Sequence, residues 1–533
     1  MQLRMNDEKI KRRRMVSAGV TALVYSIILI LYRRLVLSQC TNQMILLIFL
    51  VLCFFVGLYV LFGALDFLTA NRCRKTGVKP LTNVFCITFL AMWLPWFVLC
   101  FPGNMAWDTG SSIIYALGID RINVNNPVFQ NYLFGAIYRF GVMINNVDAA
   151  VVLYTALQIA VYVACFASVL DQLRKWSAPN GIVVFLLLFY GLCPFIPIYA
   201  LTVGKDSNFA IVVFAFSFLL LKLVVEKEEF LQDRKKYLCL ILTGALLGLL
   251  RNHGVSIPII CLGGVTVVFY RHSRKLPKKL LYAILTVIII NAIIPVCMSA
   301  PKGDIAESLS IPIQQTAYYF NNYSDEITEE ESRAISGVLP IEALKEYNPE
   351  ISDPVKQSFK NNASDEELRD YFRVWLSQLK KHPGAYLRAV YNLNYVYYTP
   401  HAIGTVKPQR PWGYDISRNV FEMTEIRKPK SELLKYAKLI DQFVTDLPVI
   451  GLFQKIGIYS WILIMFCIYH FTKKDCRVIC LLPSLIILLA CCCSPVNGYF
   501  RYALSMIVTV PMSVTATIYA EHNTKRKGNR NGW

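Results

Sequence analysis

Long apolar stretches constrain this sequence more than any other feature. Several windows approach or exceed the ~18–20 apolar residues that an α-helix needs to cross a bilayer. The chain of 533 residues is 55% hydrophobic and only 17% charged, whereas soluble globular chains are about a quarter charged. The sequence therefore predicts an all-α integral membrane protein that crosses the bilayer many times.

The apolar pattern predicts about twelve transmembrane helices. The first is expected to remain as an uncleaved signal anchor, because no small-residue cleavage site follows its apolar run. The segments near 237–250 and 255–270 are short, which is typical of a helical hairpin whose connecting turn lies in a cavity. The predicted spans are roughly 15–32, 44–68, 81–101, 148–170, 180–200, 207–225, 237–250, 255–270, 280–299, 456–471, 478–494 and 501–520.

The net charge of +20 follows from an uneven distribution of Lys and Arg between alternate loops. By the positive-inside rule, the loops rich in Lys and Arg face the cytoplasm. The charge therefore indicates topology and contact with anionic membrane lipids, and nucleic acid is not expected as a partner. The basic segments are 1–14, 72–80, 171–180, 226–236, 271–279, 472–477 and 521–533.

This topology predicts a cell-membrane protein with both termini in the cytoplasm and five regions. One mostly helical extracytoplasmic domain lies between spans 9 and 10, and it is long enough to hold a small core. All 16 cysteines lie outside it, so no internal disulfide is expected there. The regions are a basic N-terminus (1–14), a transmembrane core with external catalytic loops (15–299), the extracytoplasmic domain (300–455), C-terminal transmembrane helices (456–520) and a basic tail (521–533).

The segment 364–398 predicts two helices within the extracytoplasmic domain. Ser364 and Glu367 form a capping-box pattern, and Pro383 suits the first turn of a second helix. Dense tyrosines follow, and such aromatics favour the membrane–water interface. The pattern therefore favours a domain resting on the membrane surface, with a lid over a lipid groove as the alternative. The tyrosines are Tyr386, Tyr391, Tyr395, Tyr397 and Tyr398.

Four short polar segments fall on the predicted outer face, at 103–112, 201–208, 249–256 and 494–503. They contain most of the few charges of the short outer loops. Ionisable groups at membrane depth are costly and usually mark a functional cavity. The charged or titratable residues are Asp108, Lys205, Asp206, Arg251, His253 and Arg501.

Each of these residues also has a purely structural interpretation. Asp108 and Asp206 suit helix caps, and Lys205 suits a local pair with Asp206. Arg251 suits a side chain that snorkels to the headgroups, and Arg501 an interface anchor. His253 suits a solvated turn. Their shared side of the membrane is what favours a functional site.

Cationic side chains beside a histidine suit an anionic group such as a phosphate or diphosphate. A carboxylate among them suits a general base that takes a proton from an acceptor hydroxyl. The cations would also stabilise the charge that develops on a leaving phosphate. The combination points to group transfer from a lipid phosphate donor.

The order of these motifs resembles that of the GT-C type membrane glycosyltransferases, in particular a group of largely uncharacterised bacterial multispanning proteins. The resemblance covers about residues 80–510. The similar motifs are Trp107-Asp108, Asn126-Pro127, Gly204-Lys205-Asp206, the segment from Arg251 to Gly254, His382-Pro383 and the segment from Gly498 to Tyr502.

The resemblance implies transfer of a sugar from a polyprenyl-phosphate donor to an unidentified acceptor, with inversion at the sugar carbon. Asp108 would be the base. Arg251 and Arg501 would hold the donor phosphate, with Lys205 and His253 assisting. The supporting residues would be Trp107 and Tyr499 in the sugar pocket, together with Asn126, Asp206, Asn252 and Tyr502.

One departure from the family pattern concerns metal binding. Many relatives carry paired acids in the first large loop, but here Thr109, Gly110 and Ser111 follow Asp108. Asp120 and Asp206 are the candidates for a second acid. We therefore expect no obligatory metal and no other cofactor.

Two other classes of protein remain open. A transporter or flippase of a lipid-linked or anionic substrate would use the same cations without carboxylate chemistry. No internal repeat of the kind common in transporters is evident. A non-catalytic scaffold would tolerate substitution in the polar segments.

Overall fold

The computed structural model shows an almost entirely helical protein, which confirms the predicted all-α class. It describes residues 2–35, 43–70, 78–119, 127–270, 275–298, 305–400, 402, 410–428 and 432–520. The predicted tail 521–533, Asp120 and Asn126 lie outside these residues.

The first half of the chain contains the long apolar helices and the only two β-strands of the described residues. These elements are α1 (Gln2–Leu35), α2 (Gln43–Ala70), α3 (Thr82–Leu99), β1 (Asn104–Met105), α4 (Trp107–Leu117), α5 (Val128–Met143), α6 (Val147–Lys175), α7 (Asn180–Leu192), α8 (Phe195–Ala200), β2 (Thr202–Val203), α9 (Lys205–Glu226), α10 (Glu228–Gln232), α11 (Arg234–Leu250), a 3-10 turn (Asn252–Val255), α12 (Ser256–Phe269) and α13 (Lys275–Cys297).

The second half contains the predicted outer domain and then returns to apolar helices. Its α-helices are α14 (Ser310–Asn322), α15 (Glu329–Val338), α16 (Ile341–Leu344), α17 (Asp353–Lys356), α18 (Asp365–Lys381), α19 (Pro383–Tyr398), α20 (Arg418–Met423), α21 (Leu434–Asp446), α22 (Ile456–Thr472), α23 (Leu482–Cys492) and α24 (Phe500–Tyr519). Its 3-10 helices are Ile305–Ser308, Ser324–Glu326, Ile450–Gln454 and Cys476–Leu481.

Eight helices of the described residues are long and apolar enough to cross a membrane. The chain therefore has the composition of a multi-pass membrane protein. The described residues of the twelve predicted spans are mostly helical, although 180–200 is divided into α7 and α8, and 478–494 into a 3-10 helix and α23. The count of twelve spans stays a prediction. The eight helices are Glu8–Leu35, Met44–Asp66, Thr82–Leu99, Val147–Lys175, Lys205–Glu226, Asn252–Phe269, Leu276–Cys297 and Phe500–Tyr519.

The segment 305–398 has a hydrophobic core of its own, built around Ile313, Val338, Leu344 and Tyr371. Its helices begin where the sequence predicts. Ser364 Oγ accepts from the Glu367 amide and the Glu367 carboxylate accepts from the Ser364 amide, which is the expected capping box. α19 begins at Pro383.

The prediction that the α19 tyrosines lie at the membrane interface is wrong for four of the five. Their side chains are almost completely buried within the protein. The C-terminal half of α19 packs against the helical bundle, where Tyr397 joins the main core. The periodicity of an aromatic face is the same whether it meets lipid or protein, so the sequence could not separate the two. The four are Tyr386, Tyr391, Tyr395 and Tyr397.

Candidate functional site

A carboxylate and two cations meet where three helices begin. Lys205 Nζ lies 2.9 Å from Asp108 Oδ2, and Arg501 Nη1 donates to the same oxygen at 2.9 Å. All three side chains are mostly buried, with 16–20% of each exposed. Asp108 Oδ1 has no hydrogen-bond partner among the described residues. One carboxylate oxygen is therefore held by both cations, and the other makes no hydrogen bond to the described residues.

The two short strands explain why Asp108 and Lys205 meet. β1 and β2 pair in parallel, with Asn104 opposite Thr202 and Met105 opposite Val203. Each strand leads within two residues into a helix, α4 or α9. Because the register is fixed, the first turns of these helices lie side by side. Asp108 and Lys205 are thereby brought into contact although they are distant in sequence.

Gly103 makes the close approach before β1 possible. Its φ of +131° is strained for other residues, and a Cβ there would meet Thr155 Cγ2 and Val151 Cγ1 at 3.1 Å. The chain thus turns tightly against α6 immediately before it enters β1. The proline-glycine break after α3 is therefore a requirement of the site's backbone geometry.

A second ion pair lies beside the first. Arg251, at the C-terminal end of α11, contacts the carboxylate of Asp206, which is only 6% exposed. Arg501 Nη1 lies 3.9 Å from the other oxygen of Asp206 and so links the two pairs. The Nε atoms of Arg251 and Arg501 are buried without a hydrogen-bond partner among the described residues. Three cations and two carboxylates leave one excess positive charge and two orphaned donors.

Asp108, Lys205, Arg251 and Arg501 line a cavity of about 750 Å³. Part of the lining comes from the predicted external loops, and part from the segment 305–357 and the chain before α24. A polar cavity of this size fits a small ligand or the headgroup of a larger one. The lining residues are Trp107, Asp108, Ser111, Tyr115, Pro127, Lys205, Arg251, Asn252, His253, Glu307, Asp353, Lys356, Gln357, Ile487, Ala490, Cys491, Cys493, Ser494, Pro495, Arg501 and Tyr502.

The structure excludes most of the purely structural interpretations. The helix containing Asp108 exists, but neither Asp108 nor Asp206 caps its helix, because no side chain accepts at either N-cap. Lys205 pairs with Asp108. Arg251 lies in the buried pair with Asp206, so it does not snorkel.

Most of the other predicted site residues line the cavity, but Tyr499 does not. Trp107, Asn252 and Tyr502 line the cavity, and Trp107 is 54% exposed there. His253 is exposed at the cavity wall, with its ring 5.8 Å from that of Phe209. Tyr499 is not part of the lining, and its ring lies 4.7 Å from the Arg501 guanidinium carbon. Tyr499 is therefore a support for Arg501.

The part of the cavity lining that the predicted outer domain contributes was not predictable from the sequence. Lys356 is 8% exposed, and its Nζ lies 3.1 Å from Glu307 Oε2 and 2.9 Å from Asp353 Oδ1. The only signal was the spacing of Asp353 and Lys356, three residues apart in a segment with a proline at the helix start. That spacing is too common on helix surfaces to indicate a site.

The charge state of Asp108 follows from opposing effects. Burial raises the pKa of this carboxyl, but the adjacent Lys205 and Arg501 outweigh it and hold the pKa well below its usual range. Asp108 lies in α4, outside the eight candidate spans. It is therefore a carboxylate at every pH at which such a protein would work.

The donors around Asp108 suit an anion rather than a metal ion. Within the part of the chain that the structure describes, no three His, Cys, Asp or Glu side chains are grouped as metal ligands. The nearest charged neighbours of Asp108 are cations, which would repel a divalent metal. The residues around Asp108 therefore do not fit a divalent metal ion.

The fold and the cavity together define a multi-pass, all-helical membrane protein with a charged pocket at the helix ends. The chain belongs to DUF6020, a family of unknown function whose model matches residues 121–531. No curated protein and no solved structure matches the chain significantly. The matched region includes Lys205, Arg251 and Arg501, whereas Asp108 precedes it.

Proposed function

We propose that this protein is a membrane glycosyltransferase that moves a sugar from a polyprenyl-phosphate donor to an acceptor hydroxyl on the outer face of the membrane. The observation that carries the proposal is the arrangement of Asp108. Its Oδ2 is held at 2.9 Å by both Lys205 and Arg501, and Asp108 lines a cavity of about 750 Å³. A base and a phosphate site are thereby adjacent.

The donor phosphate binds among the cations. Lys205, Arg251 and Arg501 line the cavity and supply charge-assisted donors. α9 and α24 begin beside these side chains, and helix N-termini favour anions. The polyprenyl chain remains in the bilayer, since the pocket lies at the ends of apolar helices.

The two carboxylate oxygens of Asp108 have different roles in the proposed reaction. The acceptor hydroxyl oxygen attacks the anomeric carbon, and its proton passes to Asp108 Oδ1. The bond between the anomeric carbon and the phosphate oxygen breaks, and polyprenyl phosphate leaves with the electron pair. The cations stabilise the charge on that leaving group. Attack opposite the leaving group inverts the sugar carbon.

The two ends of the helices support the proposed orientation. Arg14 of α1 and Lys473, which follows α22, both contact Asp66 near the end of α2. These helix ends adjoin the predicted basic segments. The cavity lies at the other end, against the segment 305–357. Cytoplasmic termini and an external 300–455 segment are therefore part of the proposal, and that segment selects the acceptor.

We expect the acid limb of kcat to lie at higher pH than that of kcat/KM. In the free enzyme the cations lower the pKa of Asp108, so its protonation affects kcat/KM only below the ordinary carboxyl range of about 4. Donor phosphate draws Lys205 and Arg501 away, which raises the pKa of Asp108 in the complex. The kcat profile reports that complex. If the acid limbs of kcat and kcat/KM lay at the same pH, this would contradict the transfer of Lys205 and Arg501 from Asp108 to the donor phosphate.

The proposal is tested with purified protein in lipid nanodiscs and a panel of polyprenyl-phosphate sugars, with and without cell-envelope glycans as acceptors. Free polyprenyl phosphate and donor binding are measured together, and empty nanodiscs are the control. We expect release of polyprenyl phosphate from one or few donors. Donors that bind and stay intact in nanodiscs, and that change leaflet when the protein is in sealed vesicles, would identify a flippase instead.

A further inference from the structure

The turn 494–499, which precedes α24, is held by the predicted outer domain. The Ser352 amide donates to the Pro495 carbonyl at 2.8 Å, and the Asn497 amide donates to the Glu350 carbonyl at 2.8 Å. Asn497 Oδ1 accepts from the Val396 amide at 3.1 Å. The backbone that leads to Arg501 is therefore fixed from outside the bundle.

The hydroxyl of Tyr397 makes hydrogen bonds to both sides of this turn. Tyr397, on α19, is completely buried. Its hydroxyl donates to the Val496 carbonyl at 2.8 Å and accepts from the Tyr499 amide at 3.1 Å. Gly498 lies between them at φ +64°, and a Cβ there would overlap Val396. The turn therefore packs directly on α19.

Two aromatic rings at the end of this turn support Arg501 of the proposed phosphate site. The Tyr499 ring lies 4.7 Å from the Arg501 guanidinium carbon, and the Tyr502 ring lies 5.2 Å from it. The two rings meet edge to face at 5.0 Å. A shift of the Tyr499 backbone therefore moves the surface on which Arg501 rests.

α19 connects this support to α14 of the outer segment. Near its start, the ring of Tyr386 packs edge to face against Tyr319 at 6.3 Å, whereas Tyr397 near its end lies in the main bundle core. We infer that Tyr397 is a positioning residue that fixes Arg501 for the donor phosphate. This inference rests on the proposed function. If Tyr397 fixes Arg501, the geometry of the phosphate site depends on how the outer segment packs against the helical bundle.

A double-mutant cycle in nanodiscs tests the inference, with undecaprenyl phosphate as the probe. Wild type, Tyr397→Phe, Arg501→Lys and the double variant are compared. Tyr397→Phe leaves the Tyr499 amide without its acceptor and removes one of the two donors to the Val496 carbonyl, the other being Ser494 Oγ. We therefore expect binding to weaken roughly tenfold. In the Arg501→Lys background the same change should have little further effect, because residues acting through one another are not additive.

Tyr391→Phe is the matched control, since Tyr391 lies on the same helix and its buried hydroxyl has no partner among the described residues. It should bind the probe as wild type does. Additive effects of Tyr397→Phe and Arg501→Lys would overturn the inference. A wild type that binds undecaprenyl phosphate no better than undecaprenol would instead contradict the proposed function. The cycle is then read from thermal unfolding, where non-additivity shows that Tyr397 fixes Arg501 without a role in phosphate binding, and additivity overturns the inference.

Discussion

Asp108→Asn is expected to abolish most turnover while donor binding is kept or becomes tighter. The amide has the shape of the carboxylate but cannot take the acceptor proton, and general-base catalysis contributes about 10²- to 10⁴-fold to rate. The substitution also removes the negative charge that competes with phosphate for Lys205 and Arg501. Release of polyprenyl phosphate and donor affinity are measured on the same preparation.

Asp446→Asn is the control, because Asp446 is exposed at the end of α21 and is not part of the cavity lining. It should leave both rate and affinity unchanged. If Asp108→Asn turns over at the wild-type rate, Asp108 is a gate or a counter-ion. If it loses donor binding together with turnover, Asp108 has a structural role in the phosphate site. Either result would remove the proposed base.

The sequence was sufficient to predict the helical class because long apolar runs have few alternatives. It also predicted local helix starts, such as the capping box at Ser364 and the start of α19 at Pro383. These signals depend on neighbours within one turn. The burial of Tyr397 was not predictable, since it depends on the turn 494–499 folding back against α19.

For the site, the sequence predicted which charged residues converge but not how they pair. Lys205 and Asp206 are adjacent, yet their side chains contact Asp108 and Arg251 respectively. Successive residues of a helix point in different directions, so proximity in sequence does not define an ion pair. The wall with Glu307 and Lys356 required the three-dimensional packing of a distant segment.

Arg251→Met is expected to destabilise the protein by about 3 kcal/mol. Asp206 is 6% exposed, and its principal partner is Arg251. Without that partner a buried carboxylate is left largely uncompensated, since Arg501 approaches it only to 3.9 Å. Methionine keeps most of the side-chain volume, so the loss reflects charge rather than a cavity. The measurement is thermal unfolding in detergent against wild type.

The double variant Arg251→Met/Asp206→Asn separates the charge from other contributions. Because the buried carboxylate is removed together with its partner, we expect it to recover most of the lost stability. Arg373→Met is the matched control. Arg373 Nη1 lies 3.1 Å from Asp370 Oδ1 in an ion pair that is exposed to solvent, and such pairs contribute at most about 1 kcal/mol. A double variant no more stable than Arg251→Met would show that Arg251 stabilises the fold through its contacts with Phe209 and Tyr502. In either case donor binding should fall, because Arg251 lines the cavity and is one of the three cations of the proposed phosphate site.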